Sequence, residues 1–347
     1  MSHKYVLLKE VCEKASSNIA QKDLAECDGI YPIYGASGYI KSVDFFQQAK
    51  DYIAIVKDGA GIGRAMKLPA KSSVIGTMQY ILPNDNINIS YLYYAICSMH
   101  LEKYFSGATI PHIYFRDYQN EQLPLPTLEE QAKIANVFGR IDYFIKKEKE
   151  QLINLDELVK SRFIEMFGDP VINSKGWITK RLPELGTLSR GMSKHRPRNA
   201  PELLGGPYPL IQTGDVANAD GYIKEYTSTY SELGFRQSKM WPKGTLCITI
   251  AANIAKTAIL EFASCFPDSI VGFNAYSAVT NEYIHHWFTF VQRIIEEQAP
   301  ESAQKNINMK ILSDLKVMVP DKNIQHEYVD FLKQVDKSKF VVTAKFQ

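Results

Sequence analysis

The strongest constraint on this chain is a long internal repeat. Ser106–Lys146 aligns with Pro300–Phe340 at a constant offset of 194, without a gap. Pro126 falls on Pro320, Gln131 on Gln325, Asp142 on Asp336, Ile113 on Ile307 and Ile141 on Val335. Upstream the echo continues with small gaps. Tyr31-Pro32-Ile33 answers Tyr208-Pro209-Leu210, and Gly38-Tyr39-Ile40-Lys41 answers Gly221-Tyr222-Ile223-Lys224. A period this long is a duplicated domain with its connector, not a solenoid repeat. Two related domains on matching connectors imply two-fold pseudosymmetry, which suits a ligand of two-fold character such as duplex DNA.

The helix that follows the first copy is the clearest element. Thr127 is a natural N-cap, and Glu130 at the third helical position completes a capping box. Apolar residues then keep a seven-residue rhythm. One seam position holds Phe138, Ile145, Leu152, Val159 and Met166, and the other holds Ile134, Ile141, Glu148, Leu155 and Arg162. Intervals alternate three and four, as a coiled-coil seam requires. Gly168-Asp169-Pro170 stops the helix. Such a stripe needs a partner. Either it lies on its own domain, or it meets the second copy, where Tyr328, Leu332 and Val335 occupy the places of Ile134, Phe138 and Ile141. Packed antiparallel, the two helices form a spacer between the repeats.

The expected organisation is α+β, with two pseudo-repeated mixed α/β domains separated by a long antiparallel two-helix coiled-coil spacer. Residues 1–125 form the first domain, 126–168 the long helix, 169–318 the second domain and 319–347 the short second helix. Tyr52–Val56, Met78–Leu82 and Gly244–Ile250 read as strands, and Ser90–Tyr104 and Tyr283–Glu297 as helices.

Composition narrows the function. The net charge is only +2, so any nucleic-acid footprint is local. The five cysteines are scattered without a C-x-x-C pair, which disfavours a disulfide framework or zinc knuckle and points to a reducing cytoplasm. Neither a signal peptide nor an apolar run of about 18 residues is found, so a membrane role is not expected.

Local basic clusters do exist. Lys180, Arg181, Arg190, Lys194, Arg196 and Arg198 lie within nineteen residues that hold one acid, Glu184, and also His195. The stretch is a solvated loop, or a phosphate clamp or groove-reading loop. A second candidate is Pro111-His112-Ile113-Tyr114-Phe115-Arg116, matched by Lys305-Asn306-Ile307-Asn308-Met309-Lys310. It reads as an ordinary helix N-terminus, or as a frame whose differing side chains (His112, Tyr114 and Arg116 against Lys305, Asn306 and Asn308) read different half-sites. Gly59-Ala60-Gly61-Ile62-Gly63 follows a strand but lacks the G-x-G-x-x-G spacing and a following helix. It is expected to be a tight turn, with Arg64 and Lys256 at matching places near phosphate or base edges. Ligand spacing is missing from the remaining histidines, so no metal site is expected.

With these residues in view, the chain resembles the specificity (S) subunit of type I restriction-modification systems. Leu123-Pro124-Leu125-Pro126-Thr127-Leu128-Glu129-Glu130-Gln131-Ala132-Lys133-Ile134-Ala135 is similar to that family's L-P-x-P-x-x-x-E-Q-x-x-I segment. Ile141-Asp142-Tyr143, answered by Val335-Asp336-Lys337, and the junction Arg162–Pro170 add to the likeness. The second helix departs from it, being short and opening on Val319-Pro320-Asp321, which leaves room for a second copy to pair there. The resemblance implies two target recognition domains, each reading one half of a split, asymmetric site in double-stranded DNA. It implies a spacer that fixes the distance between halves and docks two methyltransferase (M) subunits through Ile134, Phe138, Ile141, Ile145, Leu152, Leu155, Val159, Tyr328, Leu332 and Val335. By the same resemblance S-adenosylmethionine, ATP and magnesium belong to the M and restriction (R) subunits, and this chain holds no cofactor. The sequence agrees: an N/D-P-P-Y/F signature is absent, since Asp169-Pro170 continues as Val171-Ile172, and no phosphate loop occurs. The alternatives are the specificity chain of a combined restriction-methylation enzyme, a stand-alone methyltransferase or nuclease, and a non-catalytic coiled-coil scaffold.

Overall fold

Tyr52–Val56 is apolar at every position and buried at every position, the pattern of a strand covered on both faces. It sits inside a four-stranded antiparallel sheet, in the order Cys12–Ser16, Met78–Pro83, Tyr52–Val56, Ala65–Leu68. In the computed structural model the chain divides into two compact units, Met1–Lys147 and Glu148–Gln347. The structure describes residues 4–107, 111–297 and 307–343.

In the first unit a smaller sheet joins Gly38–Val43, Tyr31–Gly35 and Ser73–Val74, the last pair running parallel. The helix Ile89–Ser98 covers the main sheet. Its N-cap Asn88 accepts from the amides of Ser90 (2.9 Å) and Tyr91 (3.1 Å). Helicity does not run unbroken to Tyr104: His100 takes φ +51°, and a 3₁₀ turn, Leu101–Tyr104, follows.

The second unit repeats this plan. Its main sheet has the order Gly186–Arg190, Ile270–Ala275, Leu246–Thr249, Thr257–Leu260, Tyr222–Ile223. A four-stranded sheet (Ser228–Tyr230, Leu204–Leu210, Ser264–Cys265, Met240–Trp241) takes the place of the smaller one. The helix Asn281–Glu297 matches Ile89–Ser98. One part of the sequence echo is not structural. Gly38–Lys41 pairs with the Tyr31–Gly35 strand, whereas Gly221–Lys224 contributes the edge strand Tyr222–Ile223, parallel to Thr257–Leu260. The strand beside Tyr208–Leu210 is Ser228–Tyr230 instead. The longer excursion in the second unit supplies this extra strand, so like residues serve different ladders.

The central helix spans Leu128–Phe167 without a break, about 60 Å at 1.5 Å per residue. The capping box forms as expected: Thr127 N–H donates to Glu130 Oε2 (3.0 Å), and Glu130 N–H to Thr127 Oγ1 (3.3 Å). At the other end Gly168 takes φ +81°. Lys175 Nζ and the Trp177 indole donate to the last carbonyls, at 2.6 Å to Glu165 and 2.8 Å to Phe167. The division between units falls inside this helix because its two ends enter different cores. Ala135 belongs to the first core, and Phe163, Met166 and Phe167 to the second.

Each unit grips its helix through the same polar socket. Buried Gln131 donates from Nε2 to the carbonyls of Pro126 (2.9 Å) and Asn86 (3.3 Å), and its Oε1 accepts from Asn88 N–H (2.7 Å). Buried Gln325 repeats this with Pro320 (3.0 Å), Ala278 (3.0 Å) and Thr280 N–H (3.1 Å). Beside each socket a buried tyrosine hydroxyl closes the adjoining strand, Tyr91 onto the Pro124 carbonyl (2.7 Å) and Tyr283 onto that of Met318 (3.1 Å).

The C-terminal helix Lys322–Thr343 opens on Asp321, whose Oδ1 accepts from Asn323 N–H (2.8 Å). Within the second unit it runs antiparallel to the end of the central helix: Tyr328 meets Phe163 and Phe167, while Lys339 reaches Asp156 (2.6 Å).

Candidate nucleic-acid interface

In the first unit the strap at residues 111–116 is hydrogen-bonded onto the hairpin turn at its side. Gly59 N–H donates to the Pro111 carbonyl (2.9 Å), and Ile113 N–H to that of Lys57 (2.9 Å). Ile113 is fully buried, which turns its neighbours His112 and Tyr114 outward. Their rings lie 4.1 Å apart, and the Arg116 guanidinium sits 4.5 Å over Tyr114. Burial, then the charge of Lys57, holds the His112 pKa below its ordinary value, and the ring nitrogen Nδ1 lies against the Asp58 carboxylate.

These side chains border a depression of about 480 Å³ whose other walls are Lys14, Lys57, Gln79 and Gln119. Its cations and the Gln119 amide can meet phosphate and base edges respectively, while the buried Gln79 amide donates to the Tyr118 hydroxyl (2.7 Å). The sequence did not reveal these four residues. Lys14 reads as an ordinary outward lysine on a strand. Only the pairing of Cys12–Ser16 with Met78–Pro83 brings it beside Gln79.

The glycine turn is a hairpin between antiparallel strands, as expected, and no helix follows it. Gly59, Gly61 and Gly63 all take positive φ, near +83°. A Cβ on Gly63 would fall 2.5 Å from Glu102 N, so this position needs glycine for closeness as well as for φ. The second unit closes the equivalent turn with Ala252 (φ +63°) and Ala255 (φ +56°). Arg64 turns back to the Ala36 carbonyl. Lys256 borders a polar cleft with Lys160, Asp220 and His285. The two matched cations therefore have different surroundings.

In the second unit the strap is fixed in the same way, with Ile307 N–H donating to the Ile250 carbonyl (3.0 Å). Lys305 and Asn306 lie outside the described residues. Asn308 Oδ1 is engaged as the N-cap of the helix Met309–Asp314, accepting from Ile311 N–H (3.0 Å). The basic loop is exposed and tethered. Arg190 Nε donates to the Asp268 carbonyl (2.9 Å), and the Asp268 carboxylate pairs with both Arg196 (3.4 Å) and Arg198. Gln237 Oε1 accepts from the amides of Lys194 (2.6 Å) and His195 (3.0 Å). The His195 ring stands 3.8 Å from Glu202. One carboxylate shared by two arginines leaves a net positive surface.

The seam residues divide. Tyr328, Leu332 and Val335 are buried, and Ile145, Leu152, Leu155 and Val159 are half-buried. Ile134 is half-buried, but Phe138 and Ile141 are each 45% exposed. Among the described residues no cluster of three His, Cys, Asp or Glu is arranged to hold a metal, and no helix is long and apolar enough to cross a membrane.

Comparison with known proteins agrees with this architecture. Residues 3–156 and 174–345 each match the type I restriction modification DNA specificity domain. Two curated relatives come from Methanocaldococcus jannaschii. The type I restriction enzyme MjaIX specificity subunit is 26% identical over 179 residues, covering 46% of this chain and 40% of that protein. The MjaVIII specificity subunit is 24% identical over 159 residues, covering 45% and 36%. The chain thus matches less than half the length of either. Among solved structures, the type I restriction-modification S subunit from M. genitalium aligns with 99% of this chain and 92% of its own, with a TM-score of 0.65 at 15% identity, which shows a shared fold. With two copies of the specificity domain covering nearly its whole length, this chain belongs to the family of type I restriction modification DNA specificity proteins.

Proposed function

We propose that this chain is the DNA-specificity subunit of a type I restriction-modification complex, with each unit reading one half of a bipartite, asymmetric site. The observation that carries the reading is the repeated strap. Ile113 and Ile307 anchor the same backbone frame on the same hairpin, while the flanking side chains differ. One scaffold with two sets of outward residues is what two readers of different half-sites need. Arg116, His112 and Tyr114, with Lys14 and Lys57 beside them, serve the first unit. Arg190, Lys194, His195, Arg196 and Arg198 serve the second, mainly through phosphate.

In this reading the central helix is a ruler, and the helices dock two methyltransferase subunits and, through them, restriction subunits. Catalysis lies in those partners, which use S-adenosylmethionine, ATP and magnesium, and the assembly works in the cytoplasm. The test is methylation mapping by long-read sequencing in cells that carry this chain with its methyltransferase, and in cells lacking only this chain. Loss of a split, asymmetric methylated motif on deletion is the expected result. An unchanged methylome overturns the proposal.

A further inference from the structure

The four-stranded sheet of the second unit carries an irregularity on its strand Leu204–Leu210. Tyr230 pairs with Leu204 and again with Tyr208, so Gly205, Gly206 and Pro207 bulge out of the ladder between them. Gly205 takes φ +83°, and a Cβ on Gly206 would fall 2.5 Å from the Tyr230 carbonyl oxygen, so the bulge needs both glycines. A bulge bends its strand and re-aims the side chains beside it. Here the bulged strand, the end of the basic loop and the turn before Ile270 enclose a pocket of about 190 Å³.

Leu204, Leu210 and Pro267 give this pocket apolar walls. No carboxylate lines it, and Arg198, paired with Asp268, is the one charged group in the lining. The other polar lining groups are unengaged. Tyr230 is only 1% exposed, yet its hydroxyl has no hydrogen-bond partner among the described residues and is not sealed off by protein atoms. The side chains of Asn199, Gln212, Thr213 and Ser269 likewise have no hydrogen-bond partner among the described residues. A buried phenol ordinarily finds a partner, so the Tyr230 hydroxyl marks where a polar atom of a ligand belongs.

Amides and hydroxyls can each donate and accept. Two amides and three hydroxyls between apolar walls suit a flat ring with apolar faces and with both donors and acceptors along its edge. The guanidinium adds a place for an anion attached to that ring. The volume lies below the roughly 300 Å³ at which sites for drug-sized ligands begin, so one ring system fills it. A nucleobase with its phosphate combines these properties. We propose that the pocket receives a single nucleobase whose phosphate is held by Arg198. A base in duplex DNA reaches such a pocket only by swinging out of the stack. That everted form rests on the DNA-reading role proposed above, whereas a free nucleotide brings the same chemistry without it. Tyr230 sits on the strand supplied by the longer excursion of the second unit, so the pocket stands outside the duplicated plan.

The first arm of the test uses no DNA. The deoxynucleoside 5′-monophosphates of the four bases are titrated into the full chain, with saturation-transfer NMR reading contact at the base protons and deoxyribose 5-phosphate as the control. At least one nucleotide is expected to bind through its base, and to bind about fivefold or more weakly to Tyr230→Phe and to Gln212→Ala. The first variant removes a single oxygen and the second changes an exposed position, and thermal melts confirm that both fold. The second arm places 2-aminopurine, which brightens when unstacked, at each position of the methylation-mapped motif in duplex DNA. A position that brightens with the unmodified chain, and clearly less with the two variants, assigns the pocket to an everted base. Mononucleotide binding without brightening assigns it to a free nucleotide. A chain that binds no DNA defeats the proposed function alone, because the first arm is read without DNA. The inference is overturned by no mononucleotide binding up to about 10 mM together with no brightening, by deoxyribose 5-phosphate binding as well as the nucleotides, or by indifference to both variants.

Discussion

Replacing Gln131 or Gln325 by alanine tests the claim that one polar socket holds each unit to its helix. Each amide makes three hydrogen bonds in a site from which water is excluded. The truncation strands an N–H at Asn88 or Thr280 and removes one donor from each of two carbonyls. A stranded buried group costs about 1–3 kcal/mol. The carbonyls recover part of their loss, so about 3 kcal/mol per variant is expected, or roughly 6–12 °C in the melting of a unit of this size. Because the bond sets are the same, the two variants should cost the same to within about 1 kcal/mol. Scanning calorimetry and urea titration provide the measurement. A cost below about 0.5 kcal/mol in either unit, or a clear inequality between them, refutes the reasoning. Gln325→Glu adds a sign. Its carboxylate would face the carbonyls of Ala278 and Pro320, so protonation, which restores a donor, is favoured and the folded-state pKa rises. The penalty is then smallest below about pH 4.3 and grows as the pH rises.

Three other outcomes follow. Burial holds His285 down at about 4 against the opposing charge of Asp220, and burial with the charges of His285 and Lys339 lowers His286. The unfolded state therefore takes up protons first, and His285 alone should cost the second unit roughly 2–3 kcal/mol between pH 7 and 4.5, with His286 adding to the loss; His285→Gln with His286→Phe should remove it in urea titrations at the two pH values. Reversing Arg190 and Arg198 to glutamate should weaken DNA binding at low salt, and an unchanged affinity would remove the loop from the interface. Deleting one heptad between residues 138 and 160 shortens the rise by about 10 Å, so the mapped motif should lose about three spacer base pairs and keep its bases. An unaltered spacing sinks the ruler.

Local chemistry was legible in the sequence wherever donor and acceptor lie within a few residues. Thr127 and Glu130 cap the helix, Gly168 ends it, and the three glycines from Gly59 make a hairpin. The duplication carried the rest of the plan, and Gln131 and Gln325 were matched before their sockets were seen. What was not legible depends on which strands become neighbours. Lys14 and Gln79 share a depression through sheet pairing alone. The echo at Gly38 and Gly221 misled because a short match does not reveal its ladder partner. The heptads predicted a seam along the whole helix, yet the structure covers Phe163 and Phe167 with the second unit's own helices while Phe138 and Ile141 remain exposed.

Asp268 has a thermodynamic consequence for whatever anion meets the basic loop. A mobile ion displaced from a cation disperses into the solvent, and that mixing entropy drives much of polyanion binding. Asp268 is covalently tethered, so when a phosphate takes Arg196 or Arg198 the displaced carboxylate stays where it is. Each exchange at this site is closer to a swap of contacts than to a release. The loop then contributes fewer effective charges to a salt titration than its arginines and lysine would suggest, and more of its binding rests on geometry, which high salt does not erase.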